Sequence, residues 1–228
     1  MMKKVLMSVV SAVAMSASAQ SIRYEAAEMS LEERPIVATG VELRGASDVP
    51  HHTVSGGSVL LPLAGKGDAN GTPFISLAAR AGARGLCVWY CEQPVNDPVP
   101  YPWTVRSLGP GCWLTDVNIA NCWQGVDFAT HPSAGHRISY LSGAFWRTGL
   151  AVGNAAGRGW VEDTQFNPHY AMRLPPGIPV VWGDAKRAKS HHGGTQSDTM
   201  REFLHGLTFH DCADEQIRGT FLYAARDG

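Results

Sequence analysis

The chain has 228 residues, a formal net charge of −1 and only 17% charged residues. That balance implies no basic face, so neither nucleic acid nor an anionic membrane surface is an expected partner. Gly (25) and Pro (14) are plentiful beside 44% hydrophobic residues, which suits a turn-rich β protein with a sizeable core and excludes global disorder.

Lys3 and Lys4, the short apolar run from Val5 to Ala14 and the small-residue site Ala17-Ser18-Ala19 read as an export signal over residues 1–19. The run is far shorter than the roughly 20 residues that cross a bilayer, so no membrane span is expected and the protein is expected to be secreted or periplasmic. Residues 20–40 are polar with weak helical periodicity, and read as an N-terminal arm or cap. Five cysteines leave at least one unpaired within the chain. Cys87, Cys91, Cys112 and Cys122 either bridge neighbouring strands or fill the interior as small hydrophobes. Their spacing does not make a zinc site.

From residue 41 onwards the pattern is β. Val41 to Gly45, Ser58 to Leu63, Phe74 to Leu77 and Gly85 to Tyr90 are short apolar runs bounded by turn residues. His51 and His52 are adjacent, but neighbouring side chains on an extended segment point oppositely, which argues against a shared metal ion. Cys91 to Trp103 carries four prolines, which excludes helix and central strand and predicts a rigid extended loop. Its Tyr101 and Trp103 could form an aromatic wall for a sugar ring, or pack the loop against the strands. Between Cys112 and Arg173 short runs recur, and Gln124-Gly125-Val126 returns as Thr148-Gly149-Leu150 about 24 residues on, inside the roughly 20–50-residue range of stacked repeats. Asn121, Asn154 and Asn167 are expected at the turns, bonding one repeat to the next. A polar stretch at about 183–200, with Lys186, Arg187 and Lys189, is expected to be an exposed insertion, and the strand pattern resumes at Phe203.

The stretches VELRGASDVPHHT, PFISLAARAGARGLCVWYCEQ, PVPYPWTV, NCWQGVDF, GLAVGN and FNPHY resemble the pectate-lyase-like superfamily, most of all its large exported bacterial members related to glycoside hydrolases. The resemblance implies an all-β, right-handed parallel β-helix over 41–228. No cap follows Phe221-Leu222-Tyr223, so the helix is expected to be uncapped or incomplete at its C-terminal end, with the rest of a longer chain as a partner. It implies a carbohydrate-active protein with a polysaccharide as partner, either a hydrolase or lyase, a non-catalytic glycan-binding or surface structural module, or an inactive fragment of a larger protein. Gly135-His136-Arg137 followed by Ile138-Ser139 is only superficially similar to the GHG and RIK tripeptides of polygalacturonase-type hydrolases, and the paired Asp-Asp is absent. Those catalytic roles do not transfer.

Residues one repeat apart line up on one face, so acids on neighbouring repeats are the candidate chemistry. Asp127 with Glu162 or Asp163 could flank a glycosidic bond, one carboxyl protonated and one ionised. His136 and Arg137 are the nearby basic groups, and Arg173 a further substrate-binding candidate. A lyase would instead need a base and a cation, supplied by arginine or by calcium held on acids. No other cofactor is expected, and no nucleophile elbow, phosphate loop, dinucleotide fingerprint or HExxH zinc motif is present.

Overall fold

The computed structural model describes residues 21–23, 30–31, 34–46, 58–171, 178–183 and 194–228. The expected export signal, His51-His52, Arg173 and the basic residues 186–189 lie outside them. Thirteen strands run in chain order: β1 Ser21–Arg23, β2 Ser30–Leu31, β3 Ile36–Val37, β4 Glu42–Arg44, β5 Val59–Pro62, β6 Ile75–Leu77, β7 Gly82–Trp89, β8 Trp103–Ser107, β9 Trp113–Phe128, β10 Arg137–Glu162, β11 Gln165–Phe166, β12 His205–Arg218 and β13 Phe221–Leu222. The one α-helix among the described residues, α1 Gly194–Phe203, precedes β12. Every pairing between strands is parallel. Parallel neighbours need a crossover between them. Here the chain supplies it by returning, pass after pass, to lie beside its own earlier course.

The expected repeat is the observed register. Gln124 pairs with Thr148 and Val126 with Leu150. The glycine between them is needed for packing: a side chain at Gly125 would strike the Gly149 carbonyl and the Phe145 ring, and one at Gly149 would strike Phe166. Phe145 and Phe166 meet edge to face over this gap, 4.6 Å between centroids.

Alternation sorts the side chains, since successive residues of a strand point to opposite faces. Leu43, Ala83, Leu114 and Ile138 form one inward column, each paired with the next. The Trp160 N–H donates to the His136 carbonyl as the Arg137 N–H donates to that of Cys112, which places Val161 next in the column. Ile217 follows. All are buried except Ile217, 47% exposed on the last pass, where no described strand covers β12 along its length. The core is continuous and apolar, with Trp89, Trp146 and Phe128 fully enclosed. No disulfide joins the five cysteines, and Cys87, Cys91, Cys112 and Cys122 fill interior positions. Burial pushes the Cys122 thiol far up.

Each pass turns a corner at one left-handed residue. Gly85, Asp116, Tyr140, Asp163 and Gly219 occupy corresponding positions, with φ between 51° and 64°. Gly and Asp tolerate this region best, which explains the recurrence of small and acidic residues there. Asn121 and Asn154 bond one pass to another, through main-chain carbonyls and an indole, whereas Asn167 Oδ1 accepts from the nearby His169 N–H. Asn154 donates to the Ala129 carbonyl, and Asn121 to those of Tyr90 and Gln93.

Two expectations change. Strand pairing begins inside the expected arm, where β1 pairs with β4, β2 with β5 and β3 with β6. The expected exposed insertion at about 183–200 runs into α1, whose Gln196, Ser197 and Met200 are buried. Met200 and the following Leu204 supply the apolar contact that the polar composition of the stretch obscured.

Candidate functional site

Outward positions beside the Leu43–Ile217 column form a ladder. Its first column runs Glu42, Gly82, Trp113, Arg137, Trp160 and Gln216, and its second Arg44, Arg84, Thr115, Ser139, Glu162 and Arg218. Adjacent strands lie about 4.8 Å apart, so Trp113 and Trp160 stand roughly 10 Å apart along the stack with Arg137 between them. The Trp113 indole lies over Gly82, where even a methyl group would overlap it. The Arg137 guanidinium sits 5.8 Å from the Trp160 ring centroid, a cation–π distance. Thr115 and Ser139 hydroxyls are 3.0 Å apart. Arg218 is 2.9 Å and Arg137 3.6 Å from Glu162, while both arginines stay open to solvent, 74% and 60% exposed. Arg44, Arg84, Arg137 and Arg218 outnumber Glu42 and Glu162, so the ladder is a positively charged surface carrying two indoles.

The residues expected to carry chemistry are only partly brought together. Glu162 and Arg137 meet in this ladder. Asp163 is the corner residue next to it, exposed and at φ 51°. Asp127 belongs to another face, where it pairs with Arg106 and Ala151. It is 1% exposed and accepts hydrogen bonds from the Ala129 and Thr130 N–H groups, the Thr130 hydroxyl and Arg106 Nε. Burial alone would push its carboxyl up, but these donors outweigh it and hold the group below the usual carboxylate range. With its oxygens bonded and enclosed, Asp127 is a structural anchor and does not stand opposite Glu162.

His136 points into the core and is fully buried. Its ring fills the space that Gly159 leaves and reaches Glu215 on the last pass. Nδ1 lies 2.8 Å from the Ser133 carbonyl and Nε2 3.0 Å from Glu215 Oε1, so both ring nitrogens are engaged inside the protein. Tyr101 is also enclosed, packed edge-on against Tyr90 at 4.9 Å, and offers no face to a sugar. Trp103 starts β8 and is half-buried. The Pro-rich loop turned Tyr101 inward because a rigid extended segment must satisfy its aromatic area against the strands it covers.

No family model, curated protein or solved structure matches the chain. The site therefore rests on its own geometry. Trp113, Trp160, Arg218, Thr115 and Ser139 were missed by a search for acids; the signal available was the spacing of Trp113, Arg137 and Trp160, close to one repeat each. Calcium does not fit the ladder, because its buried carboxylate is already held between two guanidinium groups. Among the described residues no cluster of three or more His, Cys, Asp or Glu is placed to hold a metal ion. No described helix is long and apolar enough to cross a membrane.

Proposed function

We propose that the chain is an exported right-handed parallel β-helix of the pectate-lyase-like kind whose outer ladder binds an acidic polysaccharide. The observation that carries this reading is the Trp113–Arg137–Trp160 column flanked by hydroxyls and further arginines. Indole faces cover the apolar C–H faces of sugar rings, hydroxyls meet the ring edges, and exposed guanidinium groups pair bidentately with uronate carboxylates. A chain lying across the strands would meet these groups in succession. Hydrolysis needs a second carboxyl across from Glu162, but Glu42 stands four strands along the stack from it, roughly 19 Å, and Asp163 sits beside Glu162 in the chain rather than across the ladder from it. Glu162 is itself committed to Arg137 and Arg218, so binding without turnover is the function the geometry supports best.

Calorimetric titration with polygalacturonate, alginate and a neutral β-glucan tests this. The uronate polymers are expected to bind, and Arg137→Ala or Trp160→Ala to weaken them about tenfold, the usual cost of losing a central Arg or Trp contact. A neutral glucan bound as tightly and lost equally in Arg137→Ala would sink the reading. Ultraviolet absorbance of an unsaturated uronate, lost in the same variant, would replace binding by lyase chemistry.

A further inference from the structure

A second site lies where three elements meet away from the ladder. Asp97 and Pro98 of the Pro-rich loop, Trp123, Trp146 and Arg147 of β9 and β10, and Thr199, Glu202 and Phe203 of α1 enclose a cleft of about 350 Å³. That is within the roughly 300–1,000 Å³ of small-molecule sites. Its walls are tied from beneath by buried amides. Gln93 clasps Val99 through both its amide groups, at 2.8 and 2.9 Å. Asn121 holds the loop at Tyr90 and Gln93 and accepts from the Trp146 indole at 3.1 Å. Gln196 of α1 donates to Asn96 of the loop, also at 3.1 Å.

The groups that face the cleft are uncommitted, in contrast to those walls. Neither the Asp97 nor the Glu202 carboxylate has an ion pair or hydrogen bond among the described residues. The guanidinium of Arg147 sits over the Phe203 ring at 5.6 Å and forms no ion pair with either acid, although all three line the same space. The half-buried Trp123 indole N–H is likewise without an acceptor. Opposite charges that share a cleft on fixed walls and leave one another alone are placed for a third party.

We infer that this cleft binds an uncharged sugar residue, separately from the acidic polymer on the ladder. The two carboxylates accept from vicinal hydroxyls, Arg147 and the Trp123 N–H donate to ring and hydroxyl oxygens, and the aromatic faces of Trp123 and Phe203 cover the C–H face. A uronate is disfavoured, since two carboxylates against one guanidinium repel a further negative charge.

Saturation-transfer NMR and calorimetry with neutral gluco-, xylo-, manno- and galacto-oligosaccharides test the inference. At least one series should bind, and Trp123→Ala, Glu202→Gln and Asp97→Asn should each weaken it tenfold or more. Glu202 and Asp97 are exposed, so circular dichroism should confirm that these variants fold. Arg137→Ala should leave neutral-sugar binding unchanged while losing polygalacturonate, which separates this site from the ladder. Absence of binding across the four series, or binding that survives Trp123→Ala and Glu202→Gln, would overturn it.

Discussion

The ladder and the cleft handle charge in opposite ways. On the strands, the close ion pairs join residues that the register sets side by side: Arg106 with Asp127, Arg158 with Asp214, and Arg218 with Glu162. Parallel neighbours about 4.8 Å apart bring opposite charges within reach almost automatically. What remains open on the ladder is therefore the excess, and the excess is arginine. At the cleft, the charges come from a loop, the interior of β10 at a register shift, and a helix, none of which shares a register with the others. Asp97, Arg147 and Glu202 face a common space without closing on each other. A regular stack neutralises its own charges and binds through the surplus, whereas a junction of irregular elements can keep both signs available.

The largest expected effect breaks a register pair. Asp127→Asn leaves Arg106, itself mostly buried, without its partner and should lower unfolding free energy by about 3 kcal/mol, the low end for a broken buried pair. Polygalacturonate binding in the folded protein should hardly change. Denaturant titration and calorimetry on the same sample separate the two. Loss of binding at unchanged stability would return Asp127 to a functional role.

The same carboxylate fixes an acid limb. Its folded pKa is depressed, so its contribution is fully present above the unfolded carboxylate pKa of about 4 and is lost as pH falls through the folded value. Wild-type stability should decline below about pH 4, and Asp127→Asn should make that decline shallower. Thermal melts at a series of pH values read it directly. An unaltered slope would mean that other carboxylates set the acid limb.

Next in size is the salt response. Binding on the ladder, driven by exposed arginines, should weaken steadily as ionic strength rises and the Debye length shrinks from about 10 Å at 0.1 M to about 3 Å at 1 M. Neutral-sugar binding in the cleft should not follow it. Parallel titrations at the two salt concentrations would break the comparison if both affinities fell together.

Much of the stack was legible in the sequence. Gln124-Gly125-Val126 and Thr148-Gly149-Leu150 lie side by side because an identical environment repeats on each pass and selects similar residues, which leaves a period to read. The same stacking places Arg137 and Glu162 on one ladder, 3.6 Å apart. The enclosure of Asp127 and His136 was not legible, because a charged residue in a repeat gives no sign of which way its strand faces. The cleft was not legible at all. Asp97, Arg147 and Glu202 are far apart in the chain, and α1 lay hidden in a polar stretch whose only large apolar anchors are Met200 and Leu204 on either side of Phe203. Its binding surface exists only through tertiary contacts.

The smallest effect tests whether the ladder acts through the placement of its rings or merely through charge. Gly82 has an ordinary backbone conformation, so alanine is tolerated there by the backbone itself. A methyl group at this point nevertheless lies 2.1 Å from the Trp113 ring, and the half-buried indole must swing aside to admit it. Every arginine of the ladder is left in place. Gly82→Ala should therefore weaken polygalacturonate several-fold with an unchanged salt slope, whereas Arg137→Ala should lower both affinity and slope. Should Gly82→Ala bind as tightly as the native chain, the Trp113 face contributes nothing, and the ladder reduces to a row of cations.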